Sequence, residues 1–212
     1  MLIPILVLDV LLALPIAMWV AYRRGSLTDR AVMTISTVAL TNSFLVYVII
    51  GQYVFAFQLG WFPVQGWSDS TWTNLTRYAP LPVLLAVAVS LAPTTRLYRT
   101  FFLDEIGHDY VRTARAKGLT EPVILGKHVL RNAMIPILTN VAVSLPGIFV
   151  GSFLIEVFFS IPGLGREILL AVNRSDYPVI QAFAIYIAVI TMVVNLLTDI
   201  LYKLVDPRVV LS

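Results

Sequence analysis

The amino-acid sequence predicts an all-α protein, a polytopic membrane bundle of about five transmembrane helices. Hydrophobic residues make up 58% of the 212 and charged residues only 13%, and the mean hydropathy is +0.86. A water-soluble domain of this size needs a largely polar exterior, so these values indicate a chain surrounded by lipid. The apolar runs are about twenty residues long and lack the strict alternation of a transmembrane β-barrel, which favours helices.

Five runs are long enough to cross a bilayer. They are Leu2 to Tyr22, Ala31 to Phe57, Ala79 to Leu97, Met134 to Phe159 and Val179 to Val205. The first is not typical of a cleaved signal peptide, because Arg23 and Arg24 follow the apolar run instead of preceding it.

The distribution of arginine and lysine predicts the orientation of the chain. One set of loops and flanks holds twelve of the 15 basic residues: Arg23, Arg24, Arg30, Arg96, Arg99, Arg112, Arg115, Lys117, Lys127, Arg131, Lys203 and Arg208. The opposite set holds three: Arg77, Arg166 and Arg174. Since cytoplasmic loops are enriched in these residues, we expect an external N-terminus, a cytoplasmic C-terminus and a cytoplasmic loop from about Tyr98 to Asn132.

An odd number of spans with an external N-terminus leads us to expect that a preceding transmembrane helix is missing from this chain. The external loop from Leu59 to Arg77 contains four large aromatic residues: Trp61, Phe62, Trp67 and Trp72. Two interpretations remain open for them, an aromatic belt at the membrane interface and a contact surface for an external partner.

Several classes of function are excluded by the composition. The chain has no cysteine, which removes disulfides, thiolate metal sites and cysteine nucleophiles. The basic residues lie between apolar spans instead of along a soluble face, which argues against nucleic-acid binding. The two histidines, His108 and His128, lack the spacing of a metal or acid–base site, so we predict neither a metal nor catalysis. A nucleotide-binding phosphate loop is absent, because Glu121 and His128 occupy the required glycine and serine or threonine positions around Gly126-Lys127.

The cytoplasmic loop predicts two short helices joined by a glycine turn. Leu103, Ile106, Tyr110 and Ala114 form one apolar stripe if the segment is helical, with acidic residues early and basic residues late. Gly118 can end this helix in the left-handed conformation. Thr120 can then cap a second helix that has Pro122 in its first turn and runs towards Arg131.

The same loop predicts a surface that a partner could approach closely. Small residues at Ala114, Ala116 and Gly118 leave the backbone accessible, and the cations of Arg112, Arg115 and Lys117 surround it. These charges can pair with acidic groups of a protein and fix its register. The alternative is an amphipathic loop that lies on anionic lipid, and the residues by themselves favour neither.

Ionisable and polar residues inside apolar spans are candidates for function. Asp9 is expected to face protein, and Asp199 to pair with Lys203 or to reach the membrane surface. Residues that could line a pathway or form a gate, or simply join helices, are Asn140, Ser144, Pro146, Gly147, Gln181 and Asn195. The Pro162-Gly-Leu-Gly-Arg166 stretch predicts a turn before a short outer helix.

The chain resembles the permeases of bacterial ABC importers, in particular the dipeptide, oligopeptide and nickel permease group. The run Asp109-Tyr-Val-Arg-Thr-Ala-Arg-Ala-Lys-Gly-Leu119, followed by Lys127-His-Val-Leu-Arg-Asn-Ala133, is similar to the cytoplasmic EAA loop of these proteins. Four further stretches support the resemblance in order along the chain: Leu59-Gly-Trp-Phe-Pro-Val-Gln-Gly66, Phe159-Ser-Ile-Pro-Gly-Leu-Gly165, Asp176-Tyr-Pro178 and Leu201-Tyr-Lys-Leu-Val-Asp-Pro-Arg208. The general EAA pattern has Glu-Ala-Ala where this chain has Arg112-Thr-Ala114, and Ile-x-Leu-Pro where it has His128-Val-Leu-Arg131, as in the peptide-permease variant.

The resemblance implies a type I ABC-importer permease fold, with one transmembrane permease domain over residues 1–212 and a coupling loop at residues 99–133. It implies a bacterial inner-membrane location, a second homologous permease subunit, two cytoplasmic ATPases that bind ATP and Mg²⁺, and an external substrate-binding protein. This chain would then hold no cofactor and would not be an enzyme. The residues implied in ATPase coupling are Tyr110, Arg112, Thr113, Ala114, Arg115, Ala116, Lys117, Gly118 and Leu119.

Two other readings of the sequence remain. A stand-alone secondary transporter or channel would call for paired intramembrane charges or inverted repeats, and neither is evident. A truncated permease subunit that assembles without transporting would fit the missing first helix. Binding to ATPases without ATP-dependent uptake would identify this last case.

Overall fold

The computed structural model describes residues 1–150 and 152–205, with side chains for all of these except 146, 149, 150 and 198–205. Within these residues the chain is helical and contains no strand. The helices are α1 (Leu2–Tyr22), α2 (Leu27–Thr41), α3 (Phe44–Gly51), α4 (Thr71–Thr73), α5 (Pro80–Ile106), α6 (Asp109–Ala116), α7 (Glu121–Val123), α8 (Leu130–Val150), α9 (Phe153–Phe158), α10 (Leu164–Asn173) and α11 (Tyr177–Val205). Wider π-helical turns extend α3 over Gln52–Gln58, α4 over Asn74–Tyr78 and α7 over Ile124–Val129.

Three of these helices are long and apolar enough to cross a membrane: Leu2–Tyr22, Pro80–Ile106 and Tyr177–Leu197. A fourth span results if α2 and the helix at Phe44–Gln58 are taken together as one interrupted span. The predicted first, third and fifth spans are therefore continuous helices, and the predicted all-α membrane fold is confirmed.

The two remaining predicted spans are interrupted. Within Ala31 to Phe57, Asn42 adopts an extended conformation and donates its side-chain amide to the Val38 carbonyl oxygen at 3.0 Å, which ends α2. Within Met134 to Phe159, α8 ends at Val150 and α9 begins only after Ser152, which is also extended. The Asn42 side chain bonds the backbone locally and so competes with continuation of α2. Neither interruption is visible in hydropathy alone.

The chain forms two compact units. The first, called the outer unit here, comprises Met1–Ile5, Phe44–Ala86 and Val141–Ser212. The second, called the loop unit, comprises Leu6–Ser43 and Val87–Asn140. The loop unit contains the basic loop that the sequence singled out.

The core of the loop unit joins three parts of the chain. Small residues of α1 pack against Tyr98 and Phe102 of α5, and these rings contact the helices that follow α5. The buried members are Ala13, Ala17, Ala21, Tyr98, Phe102, Val111, Ala114, Ile124, Leu125, Val129, Ala133 and Ile137. Alanines on α1 let the helices approach closely, as small residues do in membrane proteins.

Asp9 faces protein, as predicted, and its partners lie on α5. The Ser90 hydroxyl donates to Asp9 Oδ1 at 2.8 Å, and the Thr94 hydroxyl donates to Asp9 Oδ2 at 2.7 Å. Both carboxylate oxygens of Asp9 therefore have a hydrogen-bond donor within the loop unit, although Asp9 lies inside an apolar span. The side chains of Asp199 and Lys203 lie outside the described residues.

In the outer unit, Glu156 closes the turn that the glycine-rich stretch predicted. Its carboxylate accepts hydrogen bonds from three backbone amides: Gly165 at 2.7 Å, Arg166 at 3.1 Å and Ser152 at 3.2 Å. Gly165 and Arg166 belong to the first turn of α10, where amides have no partner inside the helix. A Cβ on Gly165 would lie 2.7 Å from Phe153 Cα, so the close approach of α9 and α10 requires a glycine.

Gln52 connects three segments of the outer unit. Its side-chain amide donates to the carbonyl oxygen of Val64 at 3.1 Å and to that of Phe158 at 3.0 Å. The Gly66 amide donates to the Phe159 carbonyl oxygen at 3.1 Å. The loop from Leu59 to Arg77, called the aromatic loop here, is thus fixed to the end of α9, and its Trp61 and Trp72 side chains are exposed.

Replacement of Glu156 by leucine is expected to lower the free energy of unfolding by about 3 kcal/mol, because it leaves three backbone amides without their charged acceptor. The measurement is thermal unfolding of the purified protein in detergent. Glu167→Gln is the matched control: this glutamate lies in the first turn of α10, the helix whose amides donate to Glu156, but its side chain is exposed, so its loss should cost less than about 0.5 kcal/mol. Equal destabilisation by the two changes would contradict the role of Glu156.

Candidate functional site

The basic loop begins where α5 ends. The amides of Gly107 and His108 donate to the backbone carbonyl oxygens of Asp104 and Glu105 at 3.2 Å each, and His108 is extended at the start of α6. The prediction of a single helix from Leu103 to Ala114 is therefore wrong, because α5 ends before Gly107 and α6 begins after it. Glycine is a poor helix former, and Asp109 in the first turn of α6 stabilises a new N-terminus.

One face of α6 is buried in the core of the loop unit. Val111 is fully buried and Ala114 is 5% exposed, and both pack with Ile124 and Val129 of the helix after the turn. Ala114 therefore contacts the protein's own core, whereas the sequence suggested that it keeps the backbone open to a partner. This packing holds a two-turn helix that would be unstable by itself.

The other face of α6 is exposed. It continues into the turn that follows and presents small, polar and basic side chains. We call this the loop face; its members are Arg112, Thr113, Arg115, Ala116, Lys117, Gly118 and Leu119. A rigid helix with one buried face and one exposed cationic face can dock against another protein.

The turn after α6 has the geometry that Gly118 predicted. Gly118 has a φ of +77°, in the left-handed region. Its amide donates to the Arg115 carbonyl oxygen at 2.9 Å, and the Leu119 amide donates to that of Ala114 at 3.3 Å. A Cβ added to Gly118 would meet nothing within 4 Å, so the glycine is required here by conformation and not by space.

The helix after the turn begins at Glu121, directly after Thr120, as predicted. The Thr120 backbone is extended but its hydroxyl makes no capping hydrogen bond, so the predicted side-chain cap is wrong. Pro122 occupies the first turn. Instead of a short helix, this segment continues through π-helical turns into α8, which connects the loop face to a long apolar helix.

The cations of the loop face are not equivalent. Arg115 is held within the chain, since its guanidinium donates to both carboxylate oxygens of Glu121 at 2.7 and 3.3 Å, a hydrogen bond that raises the pKa of Arg115. Arg112 makes one long contact of 3.4 Å with Asp109, and both side chains are largely exposed, so this pair is weak. Lys117 forms no ion pair with any described residue. Arg112 and Lys117 are thus the cations available to a partner.

Tyr110 is half-buried at the edge of the loop face. Its hydroxyl donates to Glu105 Oε2 at 2.6 Å, and its ring stacks on that of His108 with centroids 5.9 Å apart. Burial raises the pKa of Tyr110, and the hydrogen bond to Glu105 adds to the rise. The hydroxyl therefore stays protonated and joins α6 to the last turn of α5.

An ion pair that the sequence did not indicate stabilises the loop unit. Arg99 on α5 donates to both carboxylate oxygens of Asp29 at 2.8 Å each, and Asp29 is only 5% exposed. The Gly25 amide also donates to Asp29 at 2.8 Å, and the Ser26 hydroxyl accepts from the Asp29 amide at the start of α2. Arg99 and Asp29 are 70 positions apart in the sequence. The sequence prediction treated Arg99 only as a cytoplasmic charge and therefore did not identify Asp29 as its partner.

The candidate pathway residues are spread over two helices. On α8, Asn140 is half-buried, while Ser144 and Gly147 are exposed; the side chain of Pro146 lies outside the described residues. Asn195 on α11 is exposed beside Thr191, in an open groove of about 640 Å³ in the outer unit. Among the described residues, no three His, Cys, Asp or Glu side chains could together hold a metal ion.

Comparison with known proteins gives one family and a consistent set of relatives. Residues 13–211 match the family described as binding-protein-dependent transport system inner membrane component. The chain is 34% identical over 211 residues to the di/tripeptide transport system permease protein DppB of Pseudomonas aeruginosa, with coverage of 89% of this chain and 63% of that protein.

Two further relatives carry related descriptions. The dipeptide transport system permease protein DppB of Lactococcus lactis is 38% identical over 193 residues, with coverage of 89% of this chain and 60% of the relative. The oligopeptide transport system permease protein AppB of Bacillus subtilis is 35% identical over 207 residues, with coverage of 96% and 66%. The chain thus spans 60 to 66% of the length of these three relatives.

Proposed function

Since this chain belongs to the family of binding-protein-dependent transport system inner membrane components, we propose that it is the membrane permease subunit of an ATP-driven importer of di- or oligopeptides. The relatives described as di/tripeptide, dipeptide and oligopeptide permeases support peptides as the substrate class. A member of this family with three or four apolar spans is a multi-pass protein of the inner membrane.

The observation that carries the proposal is the construction of the loop face. An exposed, partly cationic helix would be of little use for transmitting force if it could move independently. Here Val111 and Ala114 are buried among residues of α1, α5 and the helix leading into α8. A displacement of α6 by a partner would therefore move apolar helices that reach into the bilayer, because packed cores do not deform continuously.

In the proposed mechanism a cytoplasmic ATPase binds the loop face. Arg112 and Lys117 pair with acidic groups on its surface, while Ala116 and Gly118 allow its backbone to approach closely. ATP binding and closure of two ATPases displace the loop faces of this subunit and of a second, homologous permease. The pathway between the two permeases then opens towards an external binding protein that delivers the peptide. The chain lacks a phosphate loop, so ATP and Mg²⁺ are assigned to the ATPase subunits.

The proposed orientation follows from charge. With twelve basic residues on one side and three on the other, the loop face is cytoplasmic and the first residues of this chain are external. The braced aromatic loop then lies on the external side. We propose that this loop lies at the external membrane interface and faces the binding protein.

Uptake in proteoliposomes tests the proposed function. The chain is purified together with the ATPases, the second permease and the binding protein, and entry of a labelled dipeptide is followed with and without ATP. The proposal requires uptake that depends on both ATP and the binding protein. Binding to the ATPases without uptake identifies an assembly-only subunit, whereas ATP-independent uptake identifies a secondary transporter, and either result overturns the proposal.

A further inference from the structure

A groove in the loop unit has the features of a lipid site. It lies between α2 and α5 and has a volume of about 260 Å³. We call it the α2–α5 groove; its walls include Ile35 and Ser36 of α2 and Ala88, Ala92 and Thr95 of α5. Ala88, Ala92 and Ile35 make these walls apolar. α5 is long and apolar enough to cross a membrane by itself, and α2 is so together with the helix at Phe44–Gln58. We therefore assign the groove to the depth of the lipid hydrocarbon.

One residue of the groove wall has a buried hydroxyl that lacks a partner. Thr95 is 2% exposed, and its Oγ1 makes no hydrogen bond to any described residue. Ser36, which is also buried, lies on the opposite wall. An unsatisfied hydroxyl in an apolar environment is costly, so a ligand with an acceptor at this depth would be favoured over a bare hydrocarbon chain.

An arginine follows directly after the buried hydroxyl. Arg96 is exposed, and its guanidinium makes a long contact of 3.4 Å with the Thr37 hydroxyl, which ties it across to α2. Arg30 is seven residues before Thr37 on α2, two turns along the same face, and is also exposed. Arginine is well suited to phosphate because its planar donors can bind two oxygens together.

The order of these groups along α5 matches the order of groups in a phospholipid. From Ala88 to Arg96 the backbone of α5 rises by about 12 Å, and along it the apolar wall is followed by Thr95 and then by Arg96. An acyl chain, an ester carbonyl and a phosphate follow one another in the same order. We propose that the α2–α5 groove binds an anionic phospholipid, with one acyl chain between the helices, an ester oxygen at Thr95 and the phosphate at Arg96.

Native mass spectrometry of the purified, delipidated protein in detergent tests this site. Phosphatidylglycerol and phosphatidylcholine with identical acyl chains are titrated separately. We expect tighter retention of phosphatidylglycerol, and Arg96→Gln should weaken it about fivefold, since one basic side chain near a lipid surface contributes about that factor. The exposed Arg77→Gln, in the outer unit, is the control and should change nothing.

A second variant tests the acyl chain. Ala92→Leu fills the groove and should weaken retention of both lipids, while Ala184→Leu, on the exposed surface of α11, should not. If Ala92→Leu does not fold, Arg96→Gln still decides, because that side chain is exposed. Unchanged lipid retention by Arg96→Gln, equal retention of the two lipids, or displacement by inorganic phosphate would overturn the proposal.

The result is independent of transport, because lipid retention is measured on this chain without ATPases or peptide. Should Ala92→Leu abolish co-purification of a second membrane subunit while lipid retention stays unchanged, the groove receives a helix. That outcome would refute the lipid site and leave the proposed permease function intact.

Discussion

Replacement of Gly118 by valine is expected to reduce ATP-dependent uptake at least tenfold while the complex still assembles and hydrolyses ATP. A β-branched residue at a φ of +77° is strained by about 1–3 kcal/mol, and relief of that strain would rebuild the turn. The positions of Lys117 and Leu119 on the loop face would then change, although no atom lies within 4 Å of the new Cβ to block folding. Uptake and ATP hydrolysis are measured together in proteoliposomes.

Two control variants separate conformation from bulk. Gly118→Asn keeps the left-handed conformation accessible and should retain most uptake. Gly126→Val adds the same side chain in an equally open position where φ is not positive, and it should have a much smaller effect. Full transport by Gly118→Val, or equal loss in Gly126→Val, would refute the role of this turn in coupling.

The second large effect is expected at the ion pair of Asp29 and Arg99. Arg99→Met leaves a carboxylate that is 5% exposed without its guanidinium partner. Loss of one member of a buried pair typically costs 3–5 kcal/mol, so the midpoint of thermal unfolding in detergent should fall by many degrees. Part of the cost is offset because the Gly25 amide still donates to the carboxylate.

The double variant Asp29→Asn with Arg99→Met should recover most of that loss. Asparagine keeps an acceptor for Gly25 and removes the buried charge, and replacement of both partners is far milder than removal of one. Arg112→Met is the matched control, because its contact with Asp109 is exposed and weak. If Arg99→Met were no more destabilising than Arg112→Met, or if the double variant were no better than Arg99→Met, the pair would not brace the loop unit.

Much of the fold could be predicted because its signals are local. Apolar runs near twenty residues gave α1, α5 and α11, and a glycine after an amphipathic stretch gave the left-handed turn at Gly118. The Pro162-Gly-Leu-Gly-Arg166 stretch gave a turn followed by α10. Each of these depends on residues within a few turns of one another, where hydropathy and backbone preference decide the conformation.

The errors arose where a polar side chain competes with a helix or pairs far along the chain. Asn42 ends α2 inside an apolar run, and Gly107 separates α6 from α5. Glu156 was overlooked because it lies within a run treated as apolar, while its partners Gly165 and Arg166 follow nine and ten residues later. A charged residue inside a predicted span was the available signal, and it should have ended that span.

The loop face was identified from the sequence, but the arrangement of its residues was not. Ala114 was predicted to face a partner and is buried, and Arg115 was predicted to be available and is held by Glu121. The two corrections have one cause. Which side of a short helix is buried depends on the residues packed against it, here Ile124 and Val129, and these positions follow from the fold rather than from the pattern.

The proposed binding of an ATPase to the loop face is tested most directly by a cysteine cross-link from this face. The chain contains no cysteine, so Ala116→Cys introduces a single thiol on an exposed position of α6. Ser70→Cys, exposed in the aromatic loop, is the control. With a short thiol-to-amine cross-linker in membranes that contain the whole complex, we expect Ala116→Cys to capture a cytoplasmic ATPase and Ser70→Cys to capture none. Capture of the ATPase from Ser70→Cys, or none from Ala116→Cys in a complex that still transports, would contradict the proposed binding.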